Sequence, residues 1–111
     1  MENLIQDVKY VKNTAHEGVF MRNFFSREDN DRINNSEVCI MPGFQIAPHI
    51  HEDSTEFFYV VSGMGEFLDS SEWKPIKKGD AFKAPQGMTH GIKNAGSELL
   101  VILATFSPPI R

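Results

Sequence analysis

The chain has 111 residues, a single cysteine, and 15 acidic against 11 basic side chains, for a formal net charge of −4. This length suits one domain, residues 1–111, and the lone Cys39 excludes an intrachain disulfide framework. The acidic balance argues against a nucleic-acid partner, because phosphates are held by clustered Lys and Arg.

Taken in chain order, Met1 to Asn13 mixes charges with isolated apolar residues and lacks the continuous apolar stretch of a signal peptide. The longest apolar run, Leu99 to Ala104, is far short of the roughly 20 residues a membrane-spanning helix requires. A cytoplasmic protein with no membrane partner is therefore expected. Strands are predicted at Val8 to Lys12, Val19 to Phe25 and Val38 to Met41, with an exposed loop over Ser26 to Asn35, where charges and asparagines collect. Further strands are predicted at Phe44 to His51, Glu56 to Ser62, Gly65 to Leu68, Trp73 to Ile76, Ala81 to Ala84, Gly91 to Asn94 and Leu99 to Phe106. Gly, Pro, Asn, Asp and Ser punctuate these segments at the intervals of an all-β sandwich or barrel, and no helical period appears. Cys39, between Val38 and Ile40, reads as a buried, inert thiol. Lys74, Lys77 and Lys78 flank Pro75 and the Gly79-Asp80 turn, so they read as a solvated hairpin rather than an anion site.

Two blocks carry the chemistry. In the first, residues 43–63, Gly43 is followed at fixed offsets by His49, His51, Glu56 and Gly63; in the second, residues 79–94, Gly79 is followed by Pro85, Gly87, His90 and Asn94. On a strand, residues two apart project to the same face, so His49 and His51 can meet one ion from the same side. The polar run Glu52 to Thr55 can reverse the chain and bring Glu56 back beside them. Pro85-Gln86-Gly87 reads as a turn that aims His90 into the interior. Gly43 and Gly63 mark the two ends of the hairpin, where a residue without Cβ is favoured. His16, beside Glu17 and Gly18, has no partner at ligand spacing and reads as a surface residue.

At these residues the chain closely resembles the small single-domain cupins, matching both of their motifs at every defining position. The resemblance implies an antiparallel β-barrel of jelly-roll type and one divalent metal ion held by His49, His51, Glu56 and His90. Three imidazoles and a carboxylate suit Fe, Mn, Zn, Ni, Co or Cu and argue against a soft Cu(I) site. Four protein ligands on an ion that takes six leave positions open for a substrate. A role as general base is the alternative for Glu56.

Parity from His49 places Gln45 and Ala47 on the inner face, and parity from Glu56 places Phe58, Val60 and Ser62 there; Phe82 and Ile92 join them. Gln45, Phe58, Val60, Phe82 and Ile92 are thus the expected substrate pocket, a mostly apolar lining without Lys or Arg that suits a small neutral, aromatic or weakly polar ligand. Arg22 reads as one half of an exposed ion pair. Phe20, Phe24, Phe25, Phe57, Tyr59 and Trp73 read as core or subunit contacts. The resemblance admits dioxygenases and other oxidoreductases, isomerases, lyases and noncatalytic small-ligand binders, with a metal-dependent oxidoreductase on a chelating substrate foremost. A homodimer is expected, since a small barrel covers an open edge with a symmetric partner; light scattering that reports a monomer at micromolar concentration would exclude it.

Overall fold

The computed structural model describes residues 3–111, so the first two residues of the expected domain lie outside it. Ten strands follow in order: β1 (Val11–Lys12), β2 (Val19–Phe25), β3 (Asn34–Ile40), β4 (Gln45–His49), β5 (Thr55–Ser62), β6 (Met64–Asp69), β7 (Glu72–Lys77), β8 (Ala81–Ala84), β9 (His90–Lys93) and β10 (Leu100–Ser107). Burial alternates residue by residue along β5 and β10, the signature of strands with one face in a core and one outside.

All pairings are antiparallel and build two sheets, one in the order β1-β2-β3-β10-β5-β8 and the other β4-β9-β6-β7. Facing each other, they enclose a core of Val19, Met21, Val38, Ile40, Phe58, Val60, Phe67, Ile76, Ile92, Leu100, Ile102 and Ala104. This is the jelly-roll barrel expected from the sequence. One end is shut by Val19, Ile40 and Leu100, which lie side by side in register and have no exposed surface. Gly63 makes the tight link between β5 and β6 at φ +88°, where a Cβ would stand 2.4 Å from the Leu99 carbonyl oxygen; only glycine fits. The other end holds a cavity.

The structure corrects several predicted bounds. The first strand shrinks to Val11–Lys12, and the loop expected through Asn35 stops at Ile33 because β3 starts at Asn34. Asn34 is fully buried, and Asn35 donates from Nδ2 to Thr105 Oγ1 at 2.6 Å, so pairing with β10 overrides the loop preference of asparagine. His51 lies beyond β4 rather than on it. β4 is an edge strand, and its ladder with β9 slips between Ile46 and His49, at Pro48, which has no N–H to contribute.

The exterior follows the expected pattern at several points. Arg22 Nε lies 3.0 Å from Glu37 Oε1, and Tyr10 donates its hydroxyl to the same carboxylate. Burial, together with that hydrogen bond, pushes the Tyr10 phenol up to about 12. Lys74 pairs with Asp69 at 2.8 Å across the β6–β7 hairpin. Phe57, Tyr59 and Val61 project outward from β5 and are exposed. No helix among the described residues is long and apolar enough to cross a membrane.

Candidate metal centre

Four side chains converge at the open end of the barrel. His49 closes β4 directly opposite His90, which opens β9. Glu56 is the second residue of β5 and faces inward, 6% exposed. His51 is set by the turn that follows β4, where its carbonyl accepts a hydrogen bond from Gly87 N–H at 3.0 Å. Gly87 belongs to the turn predicted at Pro85, which the Met88 N–H to Pro85 carbonyl bond closes at 3.0 Å. A fold-level contact therefore does the work that strand parity was expected to do for His51.

The donor atoms are aimed by hydrogen bonds behind the rings. His49 Nδ1 lies 2.7 Å from the Ala47 carbonyl and His90 Nδ1 lies 3.0 Å from the Met88 carbonyl. A carbonyl only accepts, so each Nδ1 carries a proton, and in the neutral ring each Nε2 presents a lone pair. Those lone pairs point into a shared space: His49 Nε2 is 3.0 Å from His51 Nε2, and Glu56 Oε1 is 3.2 Å from His90 Nε2 and 3.6 Å from His51 Nε2. All four donor atoms lie within 4.8 Å of one another. Neighbouring ligands at right angles on an ion about 2.1 Å away sit about 3 Å apart, so these separations fit a single cation. Without a cation, a proton shared between His90 Nε2 and Glu56 Oε1 relieves part of the repulsion among these acceptors.

Burial sets the proton affinities. It pushes His51 down to about 4, with help from neighbouring His49, His90 and Arg111. His49 is lowered chiefly by burial, against its bond to Ala47. Burial raises the Glu56 carboxyl, although the bond to His90 opposes it. Burial also works to lower His90, but the hydrogen bonds to Glu56 and to the Met88 carbonyl outweigh it and the net direction is upward. Neutral imidazoles at neutral pH are what metal ligation requires.

Above the cluster opens a cavity of about 350 Å³. Phe58 and Ile92 line it, and the wall is completed by Met21, Val38, Ile46, Ala104 and Phe106. Three other expected pocket residues do not reach it. Gln45 is exposed, because the slip in β4 turns Ile46 inward in its place. Val60 lies deeper in the core with no exposed surface, and Phe82 stacks behind Phe58 at 4.8 Å between centroids. Ala47 is half-buried and serves through its backbone.

Sequence reasoning missed three residues. His16, expected at the surface, lines the cavity with its ring centroid 6.3 Å from that of His49. Its Nδ1 accepts from Ala47 N–H at 3.4 Å, which leaves the proton on Nε2. Lys12 stands at the rim, and Arg111 lines the far wall with Cζ 5.5 Å from the Phe106 ring centroid. The lining is thus not free of cations. Ligand spacing signalled none of the three, since Lys12 ends β1, His16 lies in the β1–β2 connection and Arg111 follows β10.

The profile of the family described as "Cupin domain" matches residues 36–106. An oxalate-binding protein of Thermotoga maritima is 38% identical over 69 residues, which cover 62% of this chain and 57% of that protein. The chain therefore spans under two thirds of the length of that curated relative. A crystal structure of a predicted oxalate decarboxylase from Thermotoga maritima superposes with a TM-score of 0.80 at 30% identity, covering 91% of both chains. KdgF from a Halomonas species superposes with a TM-score of 0.78 at 27% identity, covering 90% of this chain and 87% of that one.

Proposed function

This chain belongs to the cupin family, and from that premise we propose that it is a divalent-metal protein acting as an oxidoreductase on a small chelating substrate, with Fe or Mn as the working ion. The observation that carries this is the convergence of His49, His51 and His90 Nε2 with Glu56 Oε1 beneath an open cavity. His49, His51, Glu56 and His90 would hold the ion, and an ion that takes six ligands would keep positions open for a bidentate acid or diketone. When bound, such an ion supplies Lewis-acid polarisation and electron exchange with the chelated ligand. The chain supplies the rest. The Ala47 and Met88 carbonyls orient the imidazoles of His49 and His90, Glu56 would neutralise part of the ion's charge, and Ile46, Phe58 and Phe106 give the ligand space an apolar wall.

A second reading, a noncatalytic module that binds or senses a small ligand, is favoured by one finding: the relative from Thermotoga maritima is named an oxalate-binding protein. Metal analysis of untagged protein by plasma mass spectrometry, followed by oxygen-uptake and product assays with small chelating acids, separates the two. About one Fe or Mn per chain with ligand-dependent turnover supports the enzyme. Thermal stabilisation by the same acids without product supports the binding module. Protein that takes up no metal, even on reconstitution, ends both readings.

A further inference from the structure

The cavity holds an unused cation. Residues 108–111 leave β10 as a strap tied at four points: Ser54 Oγ donates to the Pro108 carbonyl at 2.7 Å, Ile110 N–H to Asn34 Oδ1 at 2.7 Å, Arg27 N–H to the Arg111 carbonyl at 2.8 Å and Arg27 Nη2 to the Ile110 carbonyl at 2.8 Å. Asn34 and Ser54, two of the anchors, are themselves buried. The strap delivers the Arg111 side chain to the cavity wall, over the Phe106 ring whose other neighbour is His51, 4.8 Å away edge-on. The Phe106 ring thus neighbours both the guanidinium and one of the metal-ligand candidates, His51. Among the described residues no carboxylate forms an ion pair with it. Burial lowers its proton affinity, yet an arginine stays charged.

The charge balance points to what it faces. Lys12 and Arg111 already outweigh Glu56, the one acidic residue lining the cavity, and a divalent ion adds two further positive charges. A low-dielectric cleft with that excess attracts an anion. Volume and lining narrow the choice: about 350 Å³ walled by Met21, Val38, Ile46 and Phe106 accommodates a ligand with an apolar body, well beyond the smallest dicarboxylates.

We infer that Arg111 is a specificity-determining residue, pairing with the carboxylate of a chelating acid, of the 2-oxo or 2-hydroxy acid type with an apolar body, while the metal holds its chelating oxygens. The planar guanidinium suits this role because it binds a carboxylate through two parallel hydrogen bonds. The inference rests on the metal-centre reading above and deepens it.

The test is calorimetric titration of metal-reconstituted protein with phenylpyruvate and with methyl phenylpyruvate, which keeps the skeleton and blocks the carboxylate. Wild type, Arg111→Gln and Arg111→Lys are compared, with metal stoichiometry and thermal midpoint measured on each. Wild type binds the acid about 10- to 100-fold more tightly than Arg111→Gln does, Arg111→Lys lies between, the ester binds all three alike so that the acid preference shrinks in Arg111→Gln to the part the metal itself confers, and all three hold equal metal. An unchanged preference in metal-loaded Arg111→Gln, or no preference in the wild type, overturns the inference and leaves the metal centre standing. Wild type that retains no metal overturns the metal reading and this inference with it.

Discussion

Replacing His90 with alanine removes the metal. His90 is 1% exposed, its Nε2 is 3.2 Å from Glu56 Oε1, and its ring centroid is 4.3 Å from that of His49, so no other side chain can take its place. The change strips one lone pair from the cluster and leaves the Glu56 carboxylate buried without its hydrogen-bond partner, which costs about 1–3 kcal/mol in the metal-free protein. Loss of an outer hydrogen bond to a ligand typically weakens metal binding by about 10- to 100-fold, and loss of a ligand itself exceeds that. Plasma mass spectrometry after dialysis reads the outcome; wild-type stoichiometry in the variant would refute the four-ligand site. Acid acts on the same group. Protons compete with metal at imidazoles, and His90, whose affinity for protons is raised, is the first to be taken as pH falls, while His51 resists to about 4. Metal release therefore increases as pH falls, and retention that does not change on acidification would contradict the assignment. In the metal-free fold His51 adds a second dependence. Its folded value lies below the ordinary 6.5, so the stability it contributes is present above 6.5 and is lost as pH falls through the window toward 4.

Phe58→Ala is expected to cost about 3–5 kcal/mol of folding stability, a large part of the roughly 5–15 kcal/mol available to a domain. Phe58 is 2% exposed, stacks on Phe82 at 4.8 Å, and lies 6.0 Å from Phe67 and 6.1 Å from His90 between ring centroids. It fills the space between the two sheets directly beside the ligands, and truncation leaves a void that the antiparallel ladders on both sides cannot close. Urea unfolding measures the loss. Phe58→Leu, which restores most of the volume, is expected to cost about 1 kcal/mol. Because the ring also backs His90, the alanine variant binds metal more weakly although it removes no ligand. A Phe58→Ala protein within about 1 kcal/mol of wild type would mean that the core is not continuous through this ring.

The four ligand candidates were legible because their offsets are short-range within each block: His49, His51 and Glu56 flank the β4–β5 connection, which crosses from one sheet to the other instead of closing the expected hairpin, and His90 follows its own turn. The alternation along β5 was equally legible, so Phe58 and Val60 fell on the correct face. Gln45 did not, because parity counted from His49 assumes an unbroken ladder, and the slip at Pro48 reverses it. His16 and Arg111 were illegible for a different reason. Neither belongs to a periodic pattern; the first is carried in between β1 and β2, and the second by a strap whose anchors, Arg27, Asn34 and Ser54, lie 54 to 84 positions earlier in the chain. Asn34 was misread as loop because its value lies in accepting a distant backbone N–H, which local preference does not reveal.

The plug of Val19, Ile40 and Leu100 makes the chamber blind. The residues of its lining that remain exposed are Lys12, Thr14 and Ala15, all on the short segment leading out of β1. Access to the four ligands is therefore from this side, past residues that are not themselves ligands, and substitutions at Lys12, Thr14 or Ala15 would alter entry to the cavity without touching the donor atoms.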